Sequence, residues 1–411
     1  MQLRAMPSAI LRISRVLALV LVLVPCGLAS PKYKVLHNLN CSTDGCGISG
    51  ALTMDESGNL YGAAGGGGPN NAWGTVFQLA PSRAGKWNYN LLHDFSDWHQ
   101  DGGSPNGGLA FDQAGNLYGT AGGGGTNDEG TIFELTPGSG GWGLSVLYDF
   151  GTRSGDGSSP RSGLAMDDFG DLYGIAGAVL FQLVPGPSGW TENTLYTFCP
   201  PPCSSGSVPW AAPILDKHRN LYGTTEQGGY SNCGVVYELK HISGGDWKEH
   251  VLYRFRCGSD GADPSGSLIF DSSGNLYGTA ASGCIGQGGC SAVFKLTPKP
   301  GGGWTESVLH KFVVEKDGII PTGNIVFDKA GNLYGITIAG GTGNCSGGCG
   351  VIYKLTPSAH GKWKYSVLHR FQGPDGVNPS GGLIIDGKGH LYGGTPQGGL
   401  YGGGVVFQMT P

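Results

Sequence analysis

Charged residues and long apolar runs are both scarce in this chain of 411 residues. Lys and Arg number 25 and Asp and Glu number 30, so the formal net charge is −5. Beyond the first 29 residues there is no run of basic residues, which argues against a nucleic-acid partner. No apolar stretch reaches the ~20 residues that a membrane-spanning helix needs, and no long helical pattern follows residue 30.

Glycine is the residue in excess, with 79 copies. No Gly-X-Y period runs through the chain, so collagen is excluded. Apolar residues at 39% and aromatics at 10% are too frequent for a disordered chain. Val, Thr, Tyr, Phe and Trp cluster in short runs between Gly and Pro, a pattern typical of all-β proteins.

The N-terminus has the pattern of a cleavable export signal. Arg4, Arg12 and Arg15 precede the apolar run Val16–Val24, and small residues end at Ala29. We expect residues 1–29 to be removed and residues 30–411 to be exported to the periplasm, cell surface or exterior. A retained membrane anchor and, because of Cys26, a lipoprotein are the alternatives.

Without Cys26 the exported chain has ten cysteines, an even number that favours disulfides in an oxidising compartment. No His or further Cys pair completes a four-ligand metal set around them, so we predict neither a metal nor a cofactor. Pairing by loop gives five expected bridges: Cys41–Cys46, Cys199–Cys203, Cys233–Cys257, Cys284–Cys290 and Cys345–Cys349.

An internal repeat covers the whole exported chain. Gly-Asn-Leu-Tyr-Gly or a close variant begins at positions 58, 115, 170, 219, 274, 331 and 389, at intervals of 57, 55, 49, 55, 57 and 58 residues. Each of the seven units of ~55 residues contains four strand-like runs, which in the second unit are 108–112, 116–121, 130–136 and 142–150. Four short antiparallel strands repeated in this way predict a single seven-bladed β-propeller over residues 30–411.

The two ends of the chain predict how the ring closes. Residues 33–39 match a fourth strand, and residues 404–411 match a third strand. Pairing the N-terminal strand with the last blade gives every blade four strands and leaves no incomplete edge. A β-solenoid, the alternative, would not need permuted ends.

Residues that recur in every unit are interpreted as structural. The turn aspartates resemble calcium ligands, but most turns offer one carboxylate, so capping of the turn is favoured. The repeated Tyr is expected to fill the space between blades, and the Trp that opens each fourth strand is interpreted as outer packing. A slot near the end of the fourth strand holds His in some units and Tyr in others, which argues against a metal or catalytic role there.

Functional candidates concentrate on one face. The second-to-third and fourth-to-first connections of all blades emerge together on what we call the loop face. Asp-Gly-x-x-Pro recurs there, giving either simple turns or an acidic ring able to attract cations or sugar hydroxyls, and aromatic residues lie outside the repeated slots. The binding candidates are Trp73, Trp98, Asp101, Asp156, Trp210, Tyr230, Asp260, Asp317, Asp375 and Tyr401.

The repeat units resemble the GloVer tandem repeat of bacterial exported proteins. The resemblance rests on Gly107–Thr120, with its Asp-x-x-Gly-Asn-Leu-Tyr-Gly core, followed by Gly130–Leu135. The units also resemble, more loosely, the repeats of NHL-type propellers. The GloVer family has no assigned enzymatic activity, and its members often carry a C-terminal surface anchor that the ending at Pro411 does not imply.

Two classes of function follow. The leading hypothesis is an exported non-catalytic propeller that binds a glycan, a peptide or a surface partner through the disulfide-rich loop face. The competing hypothesis is a glycan hydrolase or lyase using carboxylates at the propeller mouth, with His99 and Asp101 as candidates. A purely structural role in the cell envelope is the third possibility.

Overall fold

The computed structural model describes residues 30–48, 50–83, 85–242, 245–282, 291–312 and 317–411. The predicted export signal, residues 1–29, lies outside these ranges. From Pro31 to Pro411 the chain forms one compact unit made of seven antiparallel sheets. No helix in the described ranges is long and apolar enough to cross a membrane.

The seven sheets are the blades of a β-propeller. The first element, β1 (Lys32–Asn38), belongs to the last blade. Blade 1 contains β2 (Thr53–Met54), β3 (Leu60–Ala64), β4 (Thr75–Pro81) and β5 (Trp87–Asp94). Blade 2 contains β6 (Gly103–Pro105), β7 (Ala110–Phe111), β8 (Leu117–Gly123), β9 (Thr131–Gly138) and β10 (Gly141–Asp149). Blade 3 contains β11 (Ala165–Met166), β12 (Leu172–Ala176), β13 (Val179–Gly186) and β14 (Gly189–Thr197).

The remaining blades repeat this order. Blade 4 contains β15 (Gly206–Pro209), β16 (Ile214–Leu215), β17 (Leu221–Gly228), β18 (Val235–His241) and β19 (Trp247–Arg254). Blade 5 contains β20 (Ile269–Phe270), β21 (Leu276–Ala280), β22 (Ala292–Pro298) and β23 (Trp304–Lys311). Blade 6 contains β24 (Ile319–Phe327), β25 (Leu333–Ala339), β26 (Val351–Pro357) and β27 (Trp363–Arg370). Blade 7 contains β28 (Ile384–Ile385), β29 (Leu391–Thr395), β30 (Val405–Thr410) and β1, and single-turn 3-10 helices occur at Pro69–Asn71 and Ala359–Gly361.

The first strand of every blade except blade 6, where β24 has nine residues, is shorter or more divided than the sequence predicts. In the second unit the expected strand 108–112 is reduced to the paired residues Ala110 and Phe111, and β6 pairs separately with β8. The residues between these two segments leave the sheet because they line the central channel, described below. Blade 4 divides its first strand in the same way, with β15 and β16 both pairing with β17.

The hydrophobic core lies between the blades. Third strands are buried on both faces, as in β4, where Val76, Phe77 and Leu79 are fully buried. One cluster joins such residues of blade 1 to Phe133 and Leu135 of blade 2. Because each sheet hides its apolar side chains only against its neighbours, no blade can be stable alone and the ring has to close.

The predicted closure is confirmed. Strand β1 pairs antiparallel with β30, from Lys32 opposite Thr410 to Asn38 opposite Val405. Blade 7 thereby reaches four strands, in the order β1-β30-β29-β28. The β-solenoid alternative is wrong, because its ends would not meet.

The predicted capping role of the turn aspartates is confirmed in every blade. In blade 1, Oδ1 of Asp55 accepts the Asn59 backbone N–H at 2.8 Å, while Oδ2 accepts the Asn59 amide and the Tyr61 hydroxyl at 2.7 and 3.0 Å. The equivalent tyrosines donate to the equivalent aspartates at 2.9–3.3 Å: Tyr118, Tyr173, Tyr222, Tyr277, Tyr334 and Tyr392. Hydrogen-bond donors of the fold itself therefore already occupy the turn carboxylates.

The blade 3 turn contains three carboxylates, Asp167, Asp168 and Asp171, and an arginine side chain neutralises two of them. Arg219 of blade 4 places its guanidinium 2.5 Å from Asp167 and 2.8 Å from Asp171. The guanidinium thus supplies the positive charge that a calcium ion would have supplied to this turn.

The repeated Tyr packs between blades, as predicted, and the repeated Trp, expected to pack on the outside, meets it at the seam. Trp142 of blade 2 meets Tyr61 of blade 1 edge to face with ring centroids 6.2 Å apart, and Trp190 of blade 3 meets Tyr118 of blade 2 at 6.0 Å. Each contact adds aromatic burial to the seam between two blades.

Deleting residues 30–40 is expected to leave blade 7 with three strands and to lower the melting temperature by at least about 10 °C, because the β1–β30 ladder and the buried Leu39 are lost. Circular dichroism melts measure the effect, and a synthetic peptide of residues 30–40 added in trans should restore part of it. An unchanged melting curve would contradict the closed ring.

Acid should unfold the protein through its turns. Burial alone would raise the pKa of Asp271, but hydrogen bonds from Asn275 and Tyr277 hold it below its usual value of 3.8. A depressed pKa stabilises the fold above about pH 4, and that stabilisation is lost as the pH falls through the folded-state pKa. Asp271→Asn should cost about 1–3 kcal/mol at pH 7 and much less at pH 2–3.

Urea unfolding at the two pH values measures this difference. Asp168→Asn is the matched control, since Asp168 is exposed in the equivalent turn of blade 3. Equal losses at both pH values for Asp271→Asn would refute the explanation.

Candidate functional site

The aspartates of the Asp-Gly-x-x-Pro motif are held by the preceding blade. Asp375 accepts from His369 at 2.8 Å, Asp156 accepts from Tyr148 at 2.8 Å, and Asp260 accepts from Tyr253 at 2.9 Å. His93 and His310 lie 3.4 and 3.3 Å from Asp101 and Asp317. The His or Tyr near the end of these fourth strands thus holds in place, through the motif aspartate, the connection that leads to the next blade.

These contacts decide against an acidic ring of ligand-binding carboxylates. Asp156 and Asp260 are 3% and 7% exposed, and their carboxylates already accept hydrogen bonds within the fold, which argues against them as ligand-binding groups. Asp101, Asp317 and Asp375 are half-buried beside their histidines. In the described part of the chain, no three His, Cys, Asp or Glu side chains gather where a metal ion could be held.

The stray aromatic residues do not form one patch. Trp73 and Trp98 pack edge to face, with centroids 4.9 Å apart, and the indole N–H of Trp98 donates to Asp128 at 2.6 Å. Tyr230, 84% exposed, lies under the guanidinium of Arg254. Tyr401 is exposed on blade 7. His99 is exposed beside Asp128, with its Nδ1 3.7 Å from the carboxylate.

Three of the five expected disulfides are present: Cys199–Cys203, Cys233–Cys257 and Cys345–Cys349. Cys284 and Cys290 lie outside the described residues. The expectation for Cys41 and Cys46 is wrong, because both are free thiols. Their backbones are fixed separately to the 65–68 tract, through Cys46 N–H to Gly66 and Gly68 N–H to Cys41. Burial, and then the Cys41 contact, raise the pKa of the Cys46 thiol to about 12.

Neighbouring blades are joined on the loop face by a repeated backbone hydrogen bond, which we call the seam bond. The residue before the motif proline, or before Ile48 at the equivalent position of blade 1, donates its N–H to the carbonyl of the residue two before the third strand of the previous blade. The seam bonds are Gly47 to Gly403 at 3.2 Å, Ser104 to Trp73 and Ser159 to Glu129 at 2.6 Å, and Asp263 to Cys233 and Asn378 to Cys349 at 3.0 Å.

The seam bond requires a close approach. A Cβ built on Gly74 would lie 2.5 Å from Cδ of Pro105, and one on Gly130 would lie 2.6 Å from Cδ of Pro160. Since real Cβ atoms do not come so near, a larger residue at this position has to push the two blades apart.

Blade 3 breaks this rule, and its seam with blade 4 is open. Its third strand is preceded by Ala178 instead of Gly, and its second-to-third connection is only residues 177–178, against 6–11 residues in the other blades. No seam bond from Val208 to Gly177 exists among the described residues. The two-residue hairpin is too short to fill the space between the blades, and the methyl group of Ala178 prevents the close approach that would remove it.

The open seam contains a cavity of about 400 Å³. Ile175 and Phe198, both almost fully buried, line it together with the proline wall of Pro200, Pro201 and Pro209. The Cys199–Cys203 bridge closes the loop that carries the first two prolines. Trp210, 43% exposed, borders the opening.

The cavity meets the central channel at two unusual residues. The channel, about 600 Å³, is lined by small residues from all seven blades. The residue after the motif proline stands at its mouth: Asn106, Ser265, Thr322 and Ser380 are small and polar, but blades 3 and 4 have Arg161 and Trp210. Both of these residues line the channel and the cavity.

A carboxylate stands on the channel side of Trp210. Glu226 lines the channel but not the cavity. Burial raises its pKa, a hydrogen bond with Trp210 lowers it, and the nearby charge of Asp263 raises it further, so that the net shift is upward. Sequence reasoning found Trp210 but missed Glu226, Asp263 and Arg161. The 49-residue interval between the third and fourth repeats is the signal of the shortened hairpin.

The fold and the irregular seam define a seven-bladed β-propeller protein with a cavity at one blade interface. The Gloeobacter/Verrucomicrobia repeat, the GloVer repeat named above, matches residues 23–178, 176–346 and 285–411. The chain therefore belongs to the Gloeobacter/Verrucomicrobia repeat family. A search of curated proteins finds no match.

Solved structures share the fold at low identity. Virginiamycin B lyase from Staphylococcus aureus matches with a TM-score of 0.55 and 14% identity, over 93% of this chain and 99% of that one. YCF48 from Cyanidioschyzon merolae matches with a TM-score of 0.53 and 14% identity, over 92% and 99%. The extracellular domain of a hybrid two-component system from B. thetaiotaomicron matches with 0.53 and 12%, over 93% and 41%. At such identities only the fold carries over.

Proposed function

We propose that the protein is an exported, non-catalytic propeller that binds a ligand at the open seam between blades 3 and 4. The observation that carries the proposal is the cavity of about 400 Å³ between Ala178 and Trp210, where the other described seams are closed by a hydrogen bond. Concave apolar sites of this size are typical of ligand binding. The export signal at residues 1–29 and the disulfides support a location outside the cytoplasm.

The cavity walls favour an apolar ligand over a glycan. Most of the exposed cavity surface is apolar, from Ile, Val, Phe and Pro side chains, and the polar side chains are three serines and Arg161. Most hydroxyl groups of a sugar would therefore lack hydrogen-bond partners there. A peptide, or the side chains of a surface partner, can bury apolar area there. Trp210 offers a flat, rigid surface at the entrance, as aromatic residues commonly do in binding sites.

Closing the seam should abolish binding. We expect the wild-type protein to capture members of a peptide array, and a variant in which residues 177–178 are replaced by residues 124–130 of blade 2 to bind at least about tenfold more weakly, because the longer hairpin occupies the cavity. Trp210→Ala should weaken binding to a similar degree.

Tyr230→Ala is the matched control, because Tyr230 is an exposed aromatic residue of the same face that does not line the cavity. Hits on a glycan array alone, or equal binding by the wild type and the hairpin variant, would refute the proposed site.

A specific observation also keeps an enzymatic role as the second candidate. Glu226 and Asp263 form an interacting carboxylate pair near the channel mouth, and burial raises the pKa of Glu226, as a general acid requires. This pair replaces Asp101 and His99 as the candidate for a hydrolase or lyase, since those residues serve the loop contacts described above.

If the protein is such an enzyme, Glu226→Gln should reduce turnover at least about 100-fold on whichever member of a polysaccharide panel the wild type degrades. Glu56→Gln, on the exposed turn of blade 1, is the control and should have no effect. Absence of wild-type activity on the whole panel would count against this second candidate.

A further inference from the structure

The charges around the open seam indicate more than apolar binding. Among the described residues, Arg161 is the only charged one that lines the cavity. It is exposed, and within the described ranges it has no carboxylate within 4.0 Å, although Arg153 and Arg219 are each ion-paired. An unpaired guanidinium at the rim of an apolar cavity complements a ligand that has an apolar body and an anionic group.

The position of Arg161 in the repeat strengthens this argument. Four equivalent positions in other blades carry Asn, Ser or Thr, so the fold does not require a long cationic side chain there. The stem of Arg161 lies over Gly122, where a Cβ would be 3.2 Å from its Cγ. The stem of Arg161 thus packs against blade 2, and the residue borders the cavity without an acidic partner among the described residues.

Trp210 occupies the same repeat position one blade further on. The carboxylate of Glu226 lies close enough to Trp210 to interact with it, on the channel side and outside the cavity lining. The cavity therefore presents an aromatic ring and a cation at its entrance and apolar walls behind them. A carboxylate at Arg161 could remain partly hydrated while its apolar part is buried against Phe198 and the prolines.

We propose that the open seam binds an aryl or alkyl carboxylate: an apolar group that ends in a carboxylate held by Arg161. Both a free small acid and the C-terminal aromatic residue of a peptide have this chemistry. This inference rests on the proposed function, since it names the ligand class of the same cavity.

The test compares acids with their uncharged amides. The probes are 3-phenylpropanoate with 3-phenylpropanamide, and the peptide Gly-Gly-Phe with its C-terminal amide, titrated by calorimetry and by the change in Trp fluorescence. We expect each acid that binds to do so at least about tenfold more tightly than its amide, a preference that 0.5 M NaCl reduces. Arg161→Gln should reduce the ratio to about one.

Arg83→Gln is the matched control, because Arg83 is an exposed arginine that does not line the cavity, and it should leave the ratio unchanged. A preference shown only by the peptide acid identifies a chain terminus as the source of the carboxylate, and a preference shown by the small acid identifies a free carboxylate.

Two outcomes would overturn the inference. Equal affinity for acid and amide, with both lost in Trp210→Ala, would refute the role of Arg161 and leave the cavity as the binding site. No binding of any probe to the wild type would refute the carboxylate class, while the peptide array with the hairpin variant tests the proposed function independently.

Discussion

Close backbone contact between neighbouring blades is the constraint on which the rest of this structure depends. Each sheet is buried on both faces, so its stability comes from its neighbours, and the blades meet near the axis where space is smallest. A Cβ on Gly107 would lie 2.3 Å from the Ser162 carbonyl of the next blade, and one on Gly381 would lie 2.1 Å from that of Gly50. Glycine at these positions is therefore a packing requirement, and it explains much of the unusual glycine content.

The same constraint separates structural residues from functional ones. Turn aspartates, inter-blade tyrosines and the His/Tyr slot recur because every blade needs the same hydrogen bonds to hold its turn and its connection. Among the seams that the structure describes, one lacks the seam bond, at Gly177 and Ala178. This exception coincides with a shortened hairpin, a disulfide-closed proline loop and two large residues, Arg161 and Trp210, at positions that are small and polar in blades 2, 5, 6 and 7. Such a concentration of exceptions at one interface is expected of a site under functional selection.

The fold itself does not choose between binding and catalysis. Solved propellers of similar topology include a lyase and an extracellular domain of a signalling protein, and the identities are too low to transfer either role. In this chain the apolar cavity and the carboxylate pair lie on opposite sides of Trp210, the cavity in the seam and Glu226 at the channel. Different substitutions therefore test the two roles.

The sequence by itself determined the ring: seven units, four strands in each, closure by the N-terminal strand, and capping by the turn aspartates. These features are local or periodic, and each repeat contains the residues that specify them. Only the tertiary structure decided which candidates share a surface. Asp156 and Asp260 are buried beside the tyrosines of the preceding fourth strands, and Cys41 and Cys46 are free thiols in contact with each other. The cavity arises because two residues distant in sequence, Gly177 and Val208, fail to make a hydrogen bond that the other described seams make. Whether this hydrogen bond forms depends on the distance between the backbones of two blades. That distance cannot be read from the order of residues along the chain.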